Sequence, residues 1–423
     1  MQKETIAIHA GYNKKEGHGS MSVPITQTTA YAFRDSEHAA NLFALKELGQ
    51  IYGRLTNPTT DVLEQRFAAL EGGAAAICTS SGQAAIFFAI ANVAEAGDNI
   101  IISDKLYGGA VTLLTHTIKR FGIEARIFNS ETVDNLENQI DDKTKAIFFE
   151  SLSNPQIAIG DIEKIVDIAK RNGVLTVCDN TVATAALFNP IKWGVDVVVH
   201  STSKYTNGQG TAIGGIVVER EGLAEFFKQN NKRYYHFNEP DESYHGLVYT
   251  EVPLPNFCLR IRLALLRDVG ATQSPHNSWL LIQTLETLAL RMEKHSENAL
   301  EVAKYLQSHP KVKSVNYPGL KQSPYYDKAQ KYFKDGKASG LISFEAESFE
   351  EARKIIDSTK LFSVVVNIGD SKSLITHPGS TTHSQLSEEE LIAAGINPST
   401  IRLSIGLENP EDLIEDLNQA LNK

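Results

Sequence analysis

Four short stretches combine residue types that could do chemistry together. The first is Thr79-Ser80-Ser81-Gly82-Gln83-Ala84, small hydroxyls and a glycine where an apolar strand gives way to a helix. Backbone N–H groups at such a helix start are free to hold a phosphate, although a helix simply capped by Ser81 is the plainer reading. The second is Asp179, directly after the apolar run 174–178. A carboxylate there could cap a helix, ligate a metal or pair with a heterocyclic nitrogen. The third is His200-Ser201-Thr202-Ser203-Lys204-Tyr205. A lysine at a strand's end is more often a surface residue, yet a desolvated one has a lowered pKa and can form an imine. The fourth is Arg402, inside the apolar segment 401–405. A buried arginine needs an anion, either a structural carboxylate or a substrate's carboxylate gripped bidentately.

Each signal is weak alone. Together they describe a phosphate cradle, an acid, an imine-forming lysine and a carboxylate clamp, which is what pyridoxal phosphate chemistry on an amino acid requires. In that reading Asp179 keeps a pyridine nitrogen protonated, Lys204 holds the aldehyde and moves protons, and Arg402 orients the substrate.

These residues must be positioned, and the elements around them are legible. Short β-type runs at 75–79, 99–102, 124–128, 146–150, 174–178, 196–200 and 213–218 alternate with amphipathic stretches around 84–93, 110–121 and 162–172. The alternation predicts an α/β fold with a mostly parallel seven-stranded sheet and helices on both faces. In such sheets ligands gather beyond the carboxyl ends of the strands, where three of the four stretches fall. Residues 1–57 show weak periodicity and read as an arm that wraps a neighbour. Residues 58–270 read as the large domain. Residues 230–276, which run past its end, are rich in Tyr, His and Pro and read as an irregular insertion near a site. Residues 271–423 read as a smaller C-terminal α+β domain, with one long helix over about 278–306 and strands near 311–317, 340–345, 362–368 and 401–405.

Composition narrows the classes. The 423 residues are 42% hydrophobic and 22% charged, which suits a soluble globular protein and excludes a disordered or collagen-like chain. With 41 Lys and Arg against 51 Asp and Glu, the net charge is -10, a poor match for nucleic acid. The longest apolar stretch, 84–94, is too short to cross a bilayer. Glu4 and Glu16 sit where a signal peptide needs a basic start and an apolar run. The three cysteines, Cys78, Cys178 and Cys258, lack CxxC spacing and read as reduced thiols in a cytoplasmic protein, without a metal site. The 12 histidines show no HExxH pattern.

With these motifs in hand, the sequence resembles the Cys/Met-metabolism family of fold-type I pyridoxal-phosphate-dependent transferases, and within it the O-acetylhomoserine sulfhydrylases. The resemblance runs nearly end to end, from Ile8-His9-Ala10-Gly11-Tyr12 to Arg402-Leu403-Ser404-Ile405-Gly406-Leu407-Glu408. Its most specific pieces are Asp179-Asn180-Thr181, Ser201-Thr202-Ser203-Lys204-Tyr205 and Gly208-Gln209-Gly210, with Tyr52-Gly53-Arg54-Leu55-Thr56-Asn57-Pro58 and Ser274-Pro275-His276-Asn277 as further blocks. The resemblance implies a Schiff base on Lys204, Asp179 on the pyridine nitrogen and Tyr107 stacked on the ring. It implies a phosphate site from Ser81, Gly82 and Gln83 with the hydroxyls of Ser201 and Ser203. Tyr52 and Arg54 would reach a neighbouring subunit's phosphate, with Tyr52 also near the substrate, in a homotetramer built from dimers that share active sites. Arg402, Asn154 and the backbone near Asn367 would hold the substrate carboxylate.

The implied reaction is γ-replacement on O-acetyl-L-homoserine by sulfide or methanethiol, giving L-homocysteine or L-methionine and acetate in methionine biosynthesis. Methionine γ-lyase and cystathionine γ-synthase are the alternatives. The best-known γ-lyases carry Cys where this chain has Gly109, and the cystathionine enzymes usually show Ser-Leu-Gly where it has Asn367-Ile368-Gly369. The segment Pro240-Asp241-Glu242-Ser243-Tyr244-His245-Gly246 also resembles the sulfhydrylases, and the 230–260 region is expected to choose the leaving group. Free sulfide, a thiol or a sulfur-carrier protein would supply the nucleophile.

Overall fold

Seven strands build the larger sheet: β1 (Ala75–Thr79), β2 (Asn99–Ser103), β3 (Glu124–Phe128), β4 (Thr144–Glu150), β5 (Leu175–Asp179), β6 (Val197–His200) and β7 (Gly215–Glu219). The computed structural model describes residues 1–15, 17–381 and 397–423; Glu16 and 382–396 lie outside the described residues. The strand order is β1-β7-β6-β5-β4-β2-β3. β7 runs antiparallel to both β1 and β6, and the remaining pairs are parallel. Parallel neighbours need a crossover, usually helical. The β6–β7 connection, 201–214, contains no helix and brings the chain back antiparallel. That connection carries Lys204.

The central strands are buried on both faces, so they read as continuous apolar runs. Leu63 and Phe67 of the helix Pro58–Glu71, with Ile165 of the helix Ile162–Arg171, pack with Cys178 and Val198 on one face. Ala85, Ile86 and Ile90 of the helix Gly82–Ala91 pack with Val177, Val197 and Val199 on the other. The Pro58–Glu71 helix starts where the sequence says it should. Asn57 accepts N–H bonds from Thr59 and Thr60, Pro58 occupies the first turn, and Gly72 closes the helix at φ 76°.

A second sheet of five strands, β8 (Ser314–Asn316), β9 (Leu341–Glu345), β10 (Ser363–Val364), β11 (Leu374–Thr376) and β12 (Thr400–Ser404), has the order β10-β11-β12-β9-β8. The expected strand 362–368 is only two residues long, because Val364, Val365 and Val366 face solvent. β11, which the sequence reading did not anticipate, fills the place between β10 and β12. The expected long helix is two, Pro275–Leu285 and Leu288–Ser308. They part at Glu286-Thr287, where Glu286 pairs with the buried Arg66 at 3.3 Å.

The stretch 230–276 also differs from expectation. Its first half is short turns, but Asn256–Arg260, Ile261–Leu266 and Arg267–Val269 form one continuous helical run. Cys258 N–H donates to Glu219 on β7, and Asn92 Nδ2 donates to the Phe257 carbonyl at 3.1 Å, so the run is pinned to the large sheet. In residues 1–57, two short helices (Lys3–His9 and Ser36–Phe43) flank extended chain, and Met21, Ile25, Phe33, Phe43 and Leu48 are exposed.

Candidate active site

A cavity of ≈ 420 Å³ opens where the carboxyl ends of β1, β4, β5 and β6 face the second sheet. The sheet topology delivers reactive groups there one strand at a time.

After β1, Ser81 caps the helix Gly82–Ala91, its Oγ accepting from Ala84 N–H at 3.1 Å. The capping reading and the cradle reading are therefore compatible. The first-turn N–H groups of Gly82 and Gln83 have no intrahelical acceptor and lie at the positive end of the helix dipole. Gly82 permits a close approach: a Cβ there would sit 2.5 Å from Ser201 Cβ and 2.9 Å from Ser201 Oγ. Ser203 Oγ accepts from Gly214 N–H at 3.0 Å, which fixes the second hydroxyl beside the first. These residues line one end of the cavity.

Two carboxyl groups, of Glu150 and Asp179, also line the cavity. β4 and β5 are in register so that Glu150 and Asp179 are direct partners on adjacent strand ends. Asp179 accepts from Thr181 N–H at 2.9 Å. Burial pushes its carboxyl up, and the bonds from Thr181 and the nearby His200 pull it back only in part. His200 is itself buried against Glu71, Nε2 to Oε1 at 2.6 Å. Burial, with Asp179 alongside, pushes Glu150 well above the usual carboxylate range. Glu150 accepts two backbone bonds, from Tyr107 N–H at 2.6 Å and from Asn154 N–H at 3.2 Å.

Tyr107 begins the turn after β2, and its ring is 40% exposed, free to face a ligand. Gln83 Nε2 donates to the Gly109 carbonyl at 2.8 Å, so the Gly82–Ala91 helix also braces this turn.

Lys204 and Arg402 come from different sheets. Arg402 lies in the middle strand β12, where Ile401 and Leu403 point into the core and Arg402 points into the cavity. Its Nη1 donates to Asn154 Oδ1 at 3.0 Å and its Nη2 to the Asn367 carbonyl at 3.0 Å. It is 3% exposed and burial lowers its pKa to about 10, so it stays cationic at neutral pH. Among the described residues no carboxylate pairs with it, and its partners there are two neutral acceptors. Asn367 also takes Lys204, Oδ1 to Nζ at 2.6 Å. Burial first, and the Arg402 charge second, hold the Lys204 ammonium below its ordinary value. Arg291, which the sequence reading did not single out, donates to the Tyr205 and Thr206 carbonyls at 2.6 and 3.0 Å and shapes the loop that presents Lys204.

Ser81, Gly82, Gln83, Tyr107, Asn154 and Asp179 thus share one cavity with Ser201, Ser203, Lys204, Asn367 and Arg402. Tyr52 and Arg54 do not join them. Both stay outside the cavity of this chain, the Arg54 guanidinium 5.3 Å over the Tyr52 ring. No residue of 230–276 lines the cavity either, against the expectation that this segment borders the site. Glu150 was missed although it obeys the rule that found Asp179, a charged residue ending a parallel strand.

The sequence matches the family described as Cys/Met metabolism PLP-dependent enzyme over residues 4–422. The chain is 47% identical over 428 residues to an O-acetyl-L-homoserine sulfhydrylase of Leptospira meyeri, covering 99% of this chain and 96% of that one. It is 44% identical over 422 residues to a homocysteine synthase of Schizosaccharomyces pombe, covering 99% and 97%. A Campylobacter jejuni crystal structure, provisionally assigned as an O-acetylhomoserine (thiol)-lyase and carrying a pyridoxyl-lysine monophosphate, superposes with a TM-score of 0.98. Its sequence is 58% identical and the match covers 100% of both chains.

Proposed function

The chain belongs to the Cys/Met metabolism family of PLP-dependent enzymes, and on that premise we propose that it converts O-acetyl-L-homoserine and sulfide to L-homocysteine and acetate. The single observation that carries the reading is the meeting of Lys204 and Arg402 at Asn367, with Asp179 in the same cavity. An amine that can move protons stands beside a guanidinium that meets no carboxylate among the described residues and can hold an amino acid's.

The residues present suit pyridoxal 5'-phosphate. The Gly82 N-terminus and the Ser201 and Ser203 hydroxyls would hold the phosphate, Asp179 the ring nitrogen, Tyr107 the ring face and Lys204 the aldehyde carbon. When bound, the cofactor supplies an electron sink for charge developing at the substrate Cα.

The chain's own groups do the rest. Arg402 and Asn154 fix the substrate carboxylate, which sets the Cα–H toward Lys204. The Lys204 amine takes that proton, and its depressed pKa suits a base working near neutrality. A second proton leaves Cβ. The Cγ–O bond breaks with its electrons going to acetate, hydrosulfide forms the Cγ–S bond, and protons return to Cβ and Cα. Burial around Lys204 and Arg402 keeps water from competing for the charged groups.

We infer further that residues 1–57 form an arm lying on a second subunit, placing Tyr52 and Arg54 at that subunit's phosphate within a homotetramer. The exposed apolar side chains of the arm and the absence of Tyr52 and Arg54 from their own cavity support this. The large sheet falls within 58–270 and the smaller one within 271–423, which supports that division into units. A cytoplasmic setting agrees with three buried free cysteines.

The test is to incubate the PLP-loaded protein with O-acetylhomoserine, with and without sulfide, and to quantify homocysteine, acetate and 2-oxobutanoate. Sulfide-dependent homocysteine equal to the acetate released is expected. Release of 2-oxobutanoate regardless of sulfide would replace this reading with elimination. Adding methanethiol in place of sulfide tests the range of nucleophiles.

A further inference from the structure

Two loops from separate parts of the chain face the cavity with different tasks. One carries Tyr107, after β2, and the other carries Asn154, after β4. A single side chain joins them. Glu150 accepts the Tyr107 N–H on Oε1 at 2.6 Å and the Asn154 N–H on Oε2 at 3.2 Å. Asn154 in turn accepts Arg402 on its Oδ1 at 3.0 Å. The line Tyr107–Glu150–Asn154–Arg402 therefore runs from the first sheet to the second.

A solvated carboxylate would not remain in this place without a reason. Glu150 is 8% exposed and pairs in register with Asp179, so two acids sit side by side in low-dielectric surroundings. Neither of its backbone partners needs a carboxylate to satisfy a single N–H, because water or a carbonyl would serve. What a carboxylate provides, and a carbonyl does not, is two acceptor atoms in one rigid plane. Each fixes one loop, and the plane fixes the distance between them.

We propose that Glu150 is a positioning residue that sets the aromatic face of Tyr107 and the carboxylate clamp of Asn154 and Arg402 in fixed relation. The proposal rests on the reading of this cavity as an amino-acid site. Glu150 lines the same cavity, and in this role it acts through the two loops it ties.

Two variants separate geometry from charge. Glu150→Gln keeps the shape but offers one acceptor atom and one donor, so one loop loses its bond. Glu150→Asp keeps the charge but is one methylene too short to reach both N–H groups. Hydrogen exchange of the PLP-loaded protein, read by mass spectrometry on peptides containing Tyr107 and Asn154, measures the ties directly. Exchange at one of these amides or both is expected to quicken about tenfold or more in each variant. KM for O-acetylhomoserine should rise about tenfold in both, since Asp does not restore the reach.

Unchanged exchange at both amides in both variants overturns the proposal. Full rescue of exchange and KM by Glu150→Asp also overturns it, because charge alone would then suffice. If the wild-type protein fails to turn over O-acetylhomoserine, the functional reading falls while the exchange data still judge Glu150.

Discussion

Asn367 bonds Lys204 through its side chain and Arg402 through its backbone, at 2.6 and 3.0 Å. The two bonds are chemically separable, since a substitution at 367 removes the first and leaves the second. Asn367→Ala should therefore lower kcat by about tenfold or more, the worth of a hydrogen bond to a charged group, with a much smaller change in KM. Steady-state kinetics on O-acetylhomoserine read both. A rise in KM with kcat unchanged would mean that the side chain serves binding, not the lysine.

Arg402 holds two neutral acceptors and no carboxylate among the described residues. Arg402→Lys keeps the charge but loses the planar fork that grips a carboxylate with two parallel bonds. KM should rise about 10- to 100-fold with the cofactor's visible absorbance retained. Wild-type KM in this variant would remove the clamp from Arg402.

Gly109 lies against the Tyr107 ring, where an added Cβ would stand 2.5 Å from Cε1 and 3.2 Å from Gln83 Nε2. Gly109→Ala must turn the ring or break the Gln83 brace. Affinity for pyridoxal phosphate should fall about tenfold, measured by fluorescence titration of the stripped protein, while Tm stays close to wild type because the ring is partly exposed. A variant with unaltered cofactor affinity would show that the ring does not need its present tilt.

His295 is buried between the Tyr205 ring and β12, with Nδ1 2.7 Å from the Ile405 carbonyl oxygen. Burial drives its pKa down from 6.5 to about 4. An unfolded chain takes up a proton here as pH falls through 6.5, and the folded chain does not until about 4. Stability is therefore complete above 6.5 and is lost on acidification across that window, on the order of 3 kcal/mol from this residue. His295→Gln, neutral throughout, should flatten the decline of Tm with falling pH between 6.5 and 4. An identical decline in both proteins would assign acid sensitivity to other groups, His236 first, which burial also lowers to about 4.

Legibility in the sequence followed burial and punctuation. β4, β5 and β6 each carry a mainly apolar run because both faces are covered, so their ends, and with them Asp179 and Lys204, could be placed from the residues alone. The break at Glu286-Thr287 has no Gly or Pro to announce it, and Glu286 pairs there with Arg66, more than two hundred residues away. The helical run 256–269 was hidden by its proline-rich approach, although Pro255 stands where a helix can begin. β11 is three residues long and too short to carry a periodic signal. At the site, the sequence left Arg402 open between a structural and a substrate carboxylate, and the described residues place two neutral acceptors at its guanidinium. Glu150 was legible by position but not by partner, because backbone N–H groups leave no mark in a residue pattern. Tyr52 and Arg54 were assigned to a neighbouring subunit's site through the resemblance, and this chain's own cavity does not contain them.

On the proposed reading, the carboxylate clamp rides on β12 of the second sheet while the lysine stands in the loop between β6 and β7 of the first. A substrate anchored at both must span a fixed gap, so the seam works as a ruler for the spacing between an amino group and its acid. Substrates with one extra backbone carbon should fit neither anchor well, whatever leaving group they carry. Selection for α-amino acids is then a property of how the two sheets dock, and the side-chain end of the substrate is left free for the exchange of groups at Cγ.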